Sequence, residues 1–187
     1  MGNREKIVDA ALHSFTHKGF HQTSMRDIAL AAGVSVGNLY NHFAGKDDLI
    51  GEIALLENAF FSEFAAQLTA GKHRPKQALS DFFNAYHAFV SSPDSVQLSA
   101  EIVAEVARNP TLAERFDANQ QQLMDALVQV IVLAQQADEI AVALDPRELA
   151  QLILDVIEGQ AWRQAIFPRK ASTVANHLLE QLIFTQG

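Results

Sequence analysis

Apolar positions recur along this chain at three- and four-residue intervals from end to end, and no stretch alternates with the period of two that a half-buried strand requires. The pattern predicts an all-α chain of about nine helices. The first covers residues 4–18, with Ile7, Val8, Ala11, Leu12 and Phe15 on one face and Gly19 ending it. A long fourth helix covers 45–68 through Leu49, Ile53, Leu56, Phe60 and Phe64. At 1.5 Å per residue it is roughly 35 Å long, enough to join two regions. A fifth spans 75–90 along Leu79, Phe82, Phe83, Tyr86 and Phe89. Ser92 as cap and Pro93 at the first helical position open a sixth through Leu98, Ile102 and Val106. Asn109-Pro110 opens a seventh that reaches residue 136. The clearest start in the chain is Asp145-Pro146-Arg147-Glu148, a capping aspartate followed by proline at N1 and glutamate at N3. That eighth helix extends to residue 167, Pro168 ends it, and a ninth covers 171–185.

The second and third helices are short and adjacent. Ser24 caps the earlier one, Ile28 with Ala31 and Ala32 face inward, and Gly33 closes it by taking the positive φ that side chains resist. Two residues later Ser35 caps the next. There Leu39 and Phe43 form the apolar face, while Val36, Gly37, Tyr40 and Asn41 point the other way. Two helices joined by a glycine-containing turn of three or four residues form the helix-turn-helix of DNA-binding domains.

The last two helices carry more apolar surface than one buried face needs. On the eighth, Glu148, Gln151, Asp155 and Glu158 make a narrow polar strip. On the ninth, Val174, Ala175, Leu178, Leu179, Leu182 and Ile183 spread over about half the circumference. A second copy contributing the same pair to a four-helix bundle is the simplest cover, which predicts a homodimer.

At 187 residues, 49% of them apolar, the chain is long enough for a real core and too hydrophobic to be disordered. It has no cysteine, which excludes disulfides, thiolate metal sites and cysteine nucleophiles and fits a reducing compartment. No apolar run approaches the roughly 18 residues that span a bilayer. The amphipathic, charged start MGNREKIVDAAL is not a signal peptide, so a cytoplasmic protein with no membrane partner is expected. The net charge of −8 argues against a polyanionic partner until the chain is divided. Residues 1–46 hold five basic and three acidic groups, a net +2, against −10 for the rest. Attraction to phosphate belongs to a local face, so a mildly basic head on an acidic body can bind a duplex.

From Gly19 to Leu49 the words GF, TSMRDIA, AGVSVGNLYNHF and KDDL follow one another at fixed spacings. This stretch resembles the DNA-binding domain of the TetR family of bacterial repressors, departing from it at position 41, where an aromatic is common and this chain has Asn41. The resemblance implies a DNA-binding domain over 1–46 and a ligand-binding and dimerisation domain over 47–187. It also implies dimerisation through the last two helices. Lys46 lies in the first turn of the fourth helix, where the macrodipole disfavours a cation. The residues alone leave open whether it is solvated beside Asp47 and Asp48 or reaches a phosphate; the resemblance implies the phosphate. Tyr40 offers a hydroxyl to phosphate, and Gly37 lets backbone approach DNA closely. Asn38 and Asn41 are able to read adenine. Thr23, Ser24 and Ser35 are expected as caps whose hydroxyls and amides also hold phosphate, with Val36 and His42 beside them.

The remaining chemistry is thinner. His13, His17 and His21 stand at four-residue spacing, but no carboxylate or thiolate accompanies them, so no metal is expected. No nucleophile–base pattern, paired-carboxylate motif or phosphate loop occurs, so neither enzyme activity nor a cofactor is expected. Polar residues within apolar stripes are the only handle on a regulatory ligand. Asn119 and Gln120 fall on the stripe of the seventh helix and Gln160 on that of the eighth. With Phe83, Tyr86, His87 and Met124 they are expected to line a pocket; the alternative is that they bond one another or sit at the dimer seam. No charged residue is placed in the interior, so a neutral or weakly polar, partly aromatic small molecule is expected. The reading is a ligand-responsive DNA-binding repressor. Its competitor is a ligand-independent adaptor whose body serves only dimerisation or a protein partner.

Overall fold

The computed structural model describes residues 2–167 and 174–184. The described residues form α1 (Asn3–Lys18), α2 (Met25–Ala32), α3 (Val36–His42), α4 (Lys46–Ala70), α5 (Pro75–Val90), α6 (Pro93–Val106), α7 (Pro110–Gln136), α8 (Pro146–Ile166) and α9 (Val174–Ile183). No strand occurs among them; Ile140 and Phe184 form a single antiparallel bridge. The stop at Pro168, the ninth helix over 171–173 and 185, and the side chains of Val174 and Ala175 lie outside the described residues.

Local chemistry accounts for most boundaries. Ser24 Oγ accepts from Asp27 N at 3.2 Å while Asp27 returns a bond to Ser24 N at 3.0 Å, a reciprocal cap for α2. Gly33 ends α2 at φ 67°, in the left-handed region. Ser35 Oγ accepts from Asn38 N at 3.1 Å at the start of α3, and Ser92 Oγ does the same for Ser95 N at 3.2 Å ahead of α6. Asp145 Oδ1 takes both Arg147 N and Glu148 N at 2.9 Å. Each cap satisfies an amide that the helix itself leaves unpaired.

Packing divides the chain into residues 1–59 with 97–119, and 60–96 with 120–187. In this division α4, α6 and α7 each contribute to both units. The first unit has a mostly aliphatic core of Ile7, Ala11, Phe15, Ile28, Leu39, Leu49 and Ile50, completed by Leu112. Leu98, Ile102, Val106 and Phe116 pack against it half-buried. The second unit packs α5 against α8 and α9 around Phe61, Phe64, Phe82, Phe83, Tyr86, Leu127, Ile153, Ile157, Leu179 and Ile183. Each such side chain, fully buried, is worth about 1.5–3 kcal/mol.

Several expected inward positions are corrected. On α2 the buried pair is Ile28 and Ala29, and Ala31 is exposed. On α4 Leu56 and Phe60 are exposed, because the inward stripe passes through Ile50 and Ala54 in the first unit and through Phe61, Ala65 and Leu68 in the second. Glu158 does not belong to an outward polar strip on α8. It is partly buried and accepts a 2.6 Å hydrogen bond from the Tyr86 hydroxyl.

Candidate nucleic-acid interface

The outward face of α3 is built by what holds its other face down. Leu39 and Phe43 are buried in the first core, which leaves Val36, Gly37, Tyr40, Asn41 and His42 exposed and Asn38 half-exposed. Half of the Tyr40 side-chain surface is open, at 51%, so it is not a core tyrosine. Asn38 Oδ1 accepts from Asn3 Nδ2 at 3.4 Å, tying the end of α1 to α3. Nothing lies within 4 Å of where a Gly37 side chain would begin, so this glycine keeps the surface low.

The α2 end of the interface differs from expectation. Thr23 is buried, and its hydroxyl donates to Gly19 O at 2.8 Å and Ser14 O at 3.3 Å. It ties the turn to α1 and caps nothing; Ser24 alone caps α2. The Ser24 hydroxyl donates to Asp27 Oδ2 at 2.6 Å, and this bond, with that from the Ser24 amide, holds the exposed Asp27 carboxyl below its ordinary range. Arg26, which pattern reasoning passed over, is exposed on α2 and has no ion-pair partner among the described residues. Its signal was present: a lone basic residue two positions after a cap, within the basic head.

Lys46 is half-buried and not simply solvated beside Asp47 and Asp48. Its Nζ donates to Phe20 O at 2.7 Å and lies 4.2 Å from the centre of the Phe20 ring. The Phe20 amide in turn donates to Glu101 Oε2 at 2.7 Å, so α6 and α4 grip the turn between α1 and α2 from its two peptide ends. The histidines separate: His13 and His17 stack at 4.2 Å, and His21 Nε2 lies 2.9 Å from Glu105 Oε1. Among the described residues no group of three or more His, Asp or Glu side chains is placed to hold a metal ion.

The residues expected to line a ligand pocket are not brought together. Asn119 belongs to the first unit, where its Nδ2 donates to Ala54 O at 2.6 Å, so its amide is taken up by α4 backbone. Phe83, Tyr86, His87, Gln120, Met124 and Gln160 belong to the second unit. Phe83, Tyr86 and Met124 are core side chains there, while His87, Gln120 and Gln160 are half-exposed. An open groove of about 570 Å³ between α4 and α7, lined by Ser62, Ala65, Thr69, Gln122, Asp125 and Gln129 among others, includes none of them. No described helix is long and apolar enough to cross a membrane.

Two family models match separate stretches of the chain. Residues 7–53 match the family model described as bacterial regulatory proteins, tetR family. Residues 75–184 match that described as BetI-type transcriptional repressor, C-terminal. The chain is 28% identical over 184 residues to the HTH-type transcriptional regulator UidR of Escherichia coli K12, covering 98% of this chain and 88% of that protein. Among solved structures, Salmonella enterica GusR superposes with a TM-score of 0.71 at 28% identity, covering 96% of this chain and 92% of that one. The regulator FadR of Bacillus subtilis in complex with stearoyl-CoA superposes at 0.76 and 22% identity, covering 96% and 97%, a likeness of fold.

Proposed function

Because the chain belongs to the TetR family of bacterial regulatory proteins, we propose that this DNA-binding transcriptional regulator is a repressor released from its operator by a small molecule. The observation that carries the DNA reading is the exposed set Val36, Gly37, Tyr40, Asn41 and His42 on α3, standing opposite the buried Leu39 and Phe43. Asn38 and Asn41 read base edges, Tyr40 meets phosphate, and Ser24 and Ser35 bring helix N-termini to the backbone. Lys46 has three N–H donors and spends one on the Phe20 carbonyl, so the others remain for a phosphate. Arg26 adds a positive charge on the same head.

Residues 1–46 serve as the DNA-binding domain, and residues 47–187 bind the effector and dimerise. Leu178 and Leu182 on α9 and Leu152 on α8, all exposed in the single chain, support a homodimer formed through these helices. The stearoyl-CoA complex of the Bacillus fold neighbour supports a body that takes small molecules. The protein works in the cytoplasm, where the DNA is, and carries out no reaction. An effector changes operator affinity only if it binds two states of the protein unequally. The test is a duplex selected by the full-length protein from random sequence, titrated with and without candidate effectors. The expectation is tight, salt-dependent binding that an effector weakens. Operator affinity indifferent to every bound compound favours the adaptor reading instead.

A further inference from the structure

The turn that carries the chain from α1 into α2 is held by opposite charges at the two ends of one residue. Phe20 is buried, with its ring set into the first core. Its amide donates to Glu101 Oε2 at 2.7 Å, and its carbonyl accepts from Lys46 Nζ at 2.7 Å. The same ammonium lies 4.2 Å from the centre of the Phe20 ring. Gly19 makes room for the carboxylate. At its φ of 86° a side chain would be strained, and its first carbon would stand 3.4 Å from both Glu101 oxygens. One turn further along α6, Glu105 Oε1 lies 2.9 Å from His21 Nε2. No α6 side chain is buried outright, so these two carboxylates, with half-buried Leu98, Ile102 and Val106, set where α6 meets the turn.

A lysine ammonium is a point charge on a flexible stem, so it points where its contacts hold it. Here those contacts are the carbonyl and the ring face of Phe20, and the position of Phe20 sets where the two remaining N–H donors of Lys46 are aimed. The bond from the Phe20 amide to a carboxylate is charge-assisted and stronger than one between neutral groups. We propose that Glu101 is a positioning residue for DNA binding: through the Phe20 peptide it holds Lys46 where its free donors meet a phosphate. This rests on the reading of Lys46 as a phosphate contact given above. Charge and position pull in opposite directions. A carboxylate repels a polyanion, so by charge alone the loss of Glu101 would strengthen binding. By position, the loss of its hydrogen bond weakens it.

The test titrates the selected operator and a scrambled duplex, at several salt concentrations, with the full-length chain carrying Glu101→Gln, Glu101→Leu, Lys46→Ala, or Glu101→Leu with Lys46→Ala. Glu101→Gln and Glu101→Leu remove the same charge, but only the glutamine can still accept from the Phe20 amide. Glu101→Gln should bind both duplexes at least as tightly as the natural chain. Glu101→Leu should bind both about threefold to tenfold more weakly and lose up to about one unit of salt slope, as the loss of one phosphate contact does. In the Lys46→Ala background, Glu101→Leu should weaken binding no further. Glu101→Ser, uncharged and too short to reach the amide, replaces the leucine variant if that one loses its helical spectrum. Equal affinities of the glutamine and leucine variants, or the same loss with and without Lys46, overturn the proposal and leave the DNA reading standing. A natural chain that binds neither duplex, or that is indifferent to Lys46→Ala, removes the phosphate reading of Lys46 and the proposal with it.

Discussion

Glu105 in the first unit and Glu158 in the second are both drawn out of water, and they are met in opposite ways. The Glu105 side chain keeps 16% of its surface, with His21 Nε2 2.9 Å and Arg108 Nη1 3.5 Å from its Oε1. Glu158 is met by the neutral Tyr86 hydroxyl, and Asp155 on its own helix adds a like charge nearby. The cores around them differ in kind as well. The first is mainly aliphatic, and its polar bonds, Glu101 to the Phe20 amide and Lys46 to the Phe20 carbonyl, close on groups of the same unit. The second is a run of packed rings around an acid that meets no cation among the described residues. Within the first unit these partly buried polar groups close on one another and hold its outer face in place.

The largest effect should come from the surface that neither core covers. Leu182 is 82% exposed in the single chain, so Leu182→Lys should leave each subunit folded. At a dimer seam, however, it buries an unpaired ion at a cost of several kcal/mol. Sedimentation should show a folded monomer, with operator affinity lower by about a hundredfold or more. A variant that remains dimeric removes α9 from the seam. Next in size is the contrast between a core side chain of the second unit and an exposed cap of the first. Phe83→Ala, at a fully buried site, should cost about 3–5 kcal/mol in urea unfolding. Ser35→Ala, at an exposed cap, should cost only about 1 kcal/mol.

Glu158 and Asp27 predict opposite responses to pH. The Glu158 carboxyl is raised chiefly by burial, so its contribution to stability is full below its unfolded value, near 4.5, and is lost as pH rises through the folded value. Melting curves from acid to neutral pH should show the natural chain falling behind Glu158→Gln across that window. Equal curves contradict an uncompensated acid. Asp27 runs the other way. Its carboxyl is lowered by the Ser24 hydroxyl, so its small contribution is present above the unfolded value near 3.8 and lost as pH falls. Ser24→Ala should remove that acid-side loss.

What could be read in the chain beforehand follows from range. Gly33, Ser24, Ser35, Ser92 and Asp145 act on amides or φ angles within three residues of themselves, and each stands where its local pattern puts it. The outward face of α3 was legible for the same reason, since Leu39 and Phe43 define it within one turn. Partners distant in sequence were not legible. Lys46 finds Phe20, Glu101 finds the Phe20 amide, Asn119 finds the Ala54 carbonyl and Glu158 finds Tyr86. Helical periodicity assigns a residue to a face and says nothing of which neighbour lies across from it. Glu158 shares its strip with other polar residues, so periodicity alone turns it outward. Thr23 has the residue type of a cap, and only its bonds to Gly19 O and Ser14 O show that it ties the turn instead.

The central claim is that the exposed side of α3 reads DNA. Titration of the selected operator and of a scrambled duplex, at several salt concentrations, tests it with the natural chain and with Asn38→Ala, Tyr40→Phe, Asn41→Ala and Lys46→Ala. Asn38→Ala or Asn41→Ala should cost about 1–3 kcal/mol on the operator, flatten preference at particular base pairs and leave the scrambled duplex nearly unchanged. Tyr40→Phe and Lys46→Ala should weaken both duplexes together, with the lysine variant losing about one unit of salt slope. Unchanged affinity and unchanged base preference in all four variants would contradict the account.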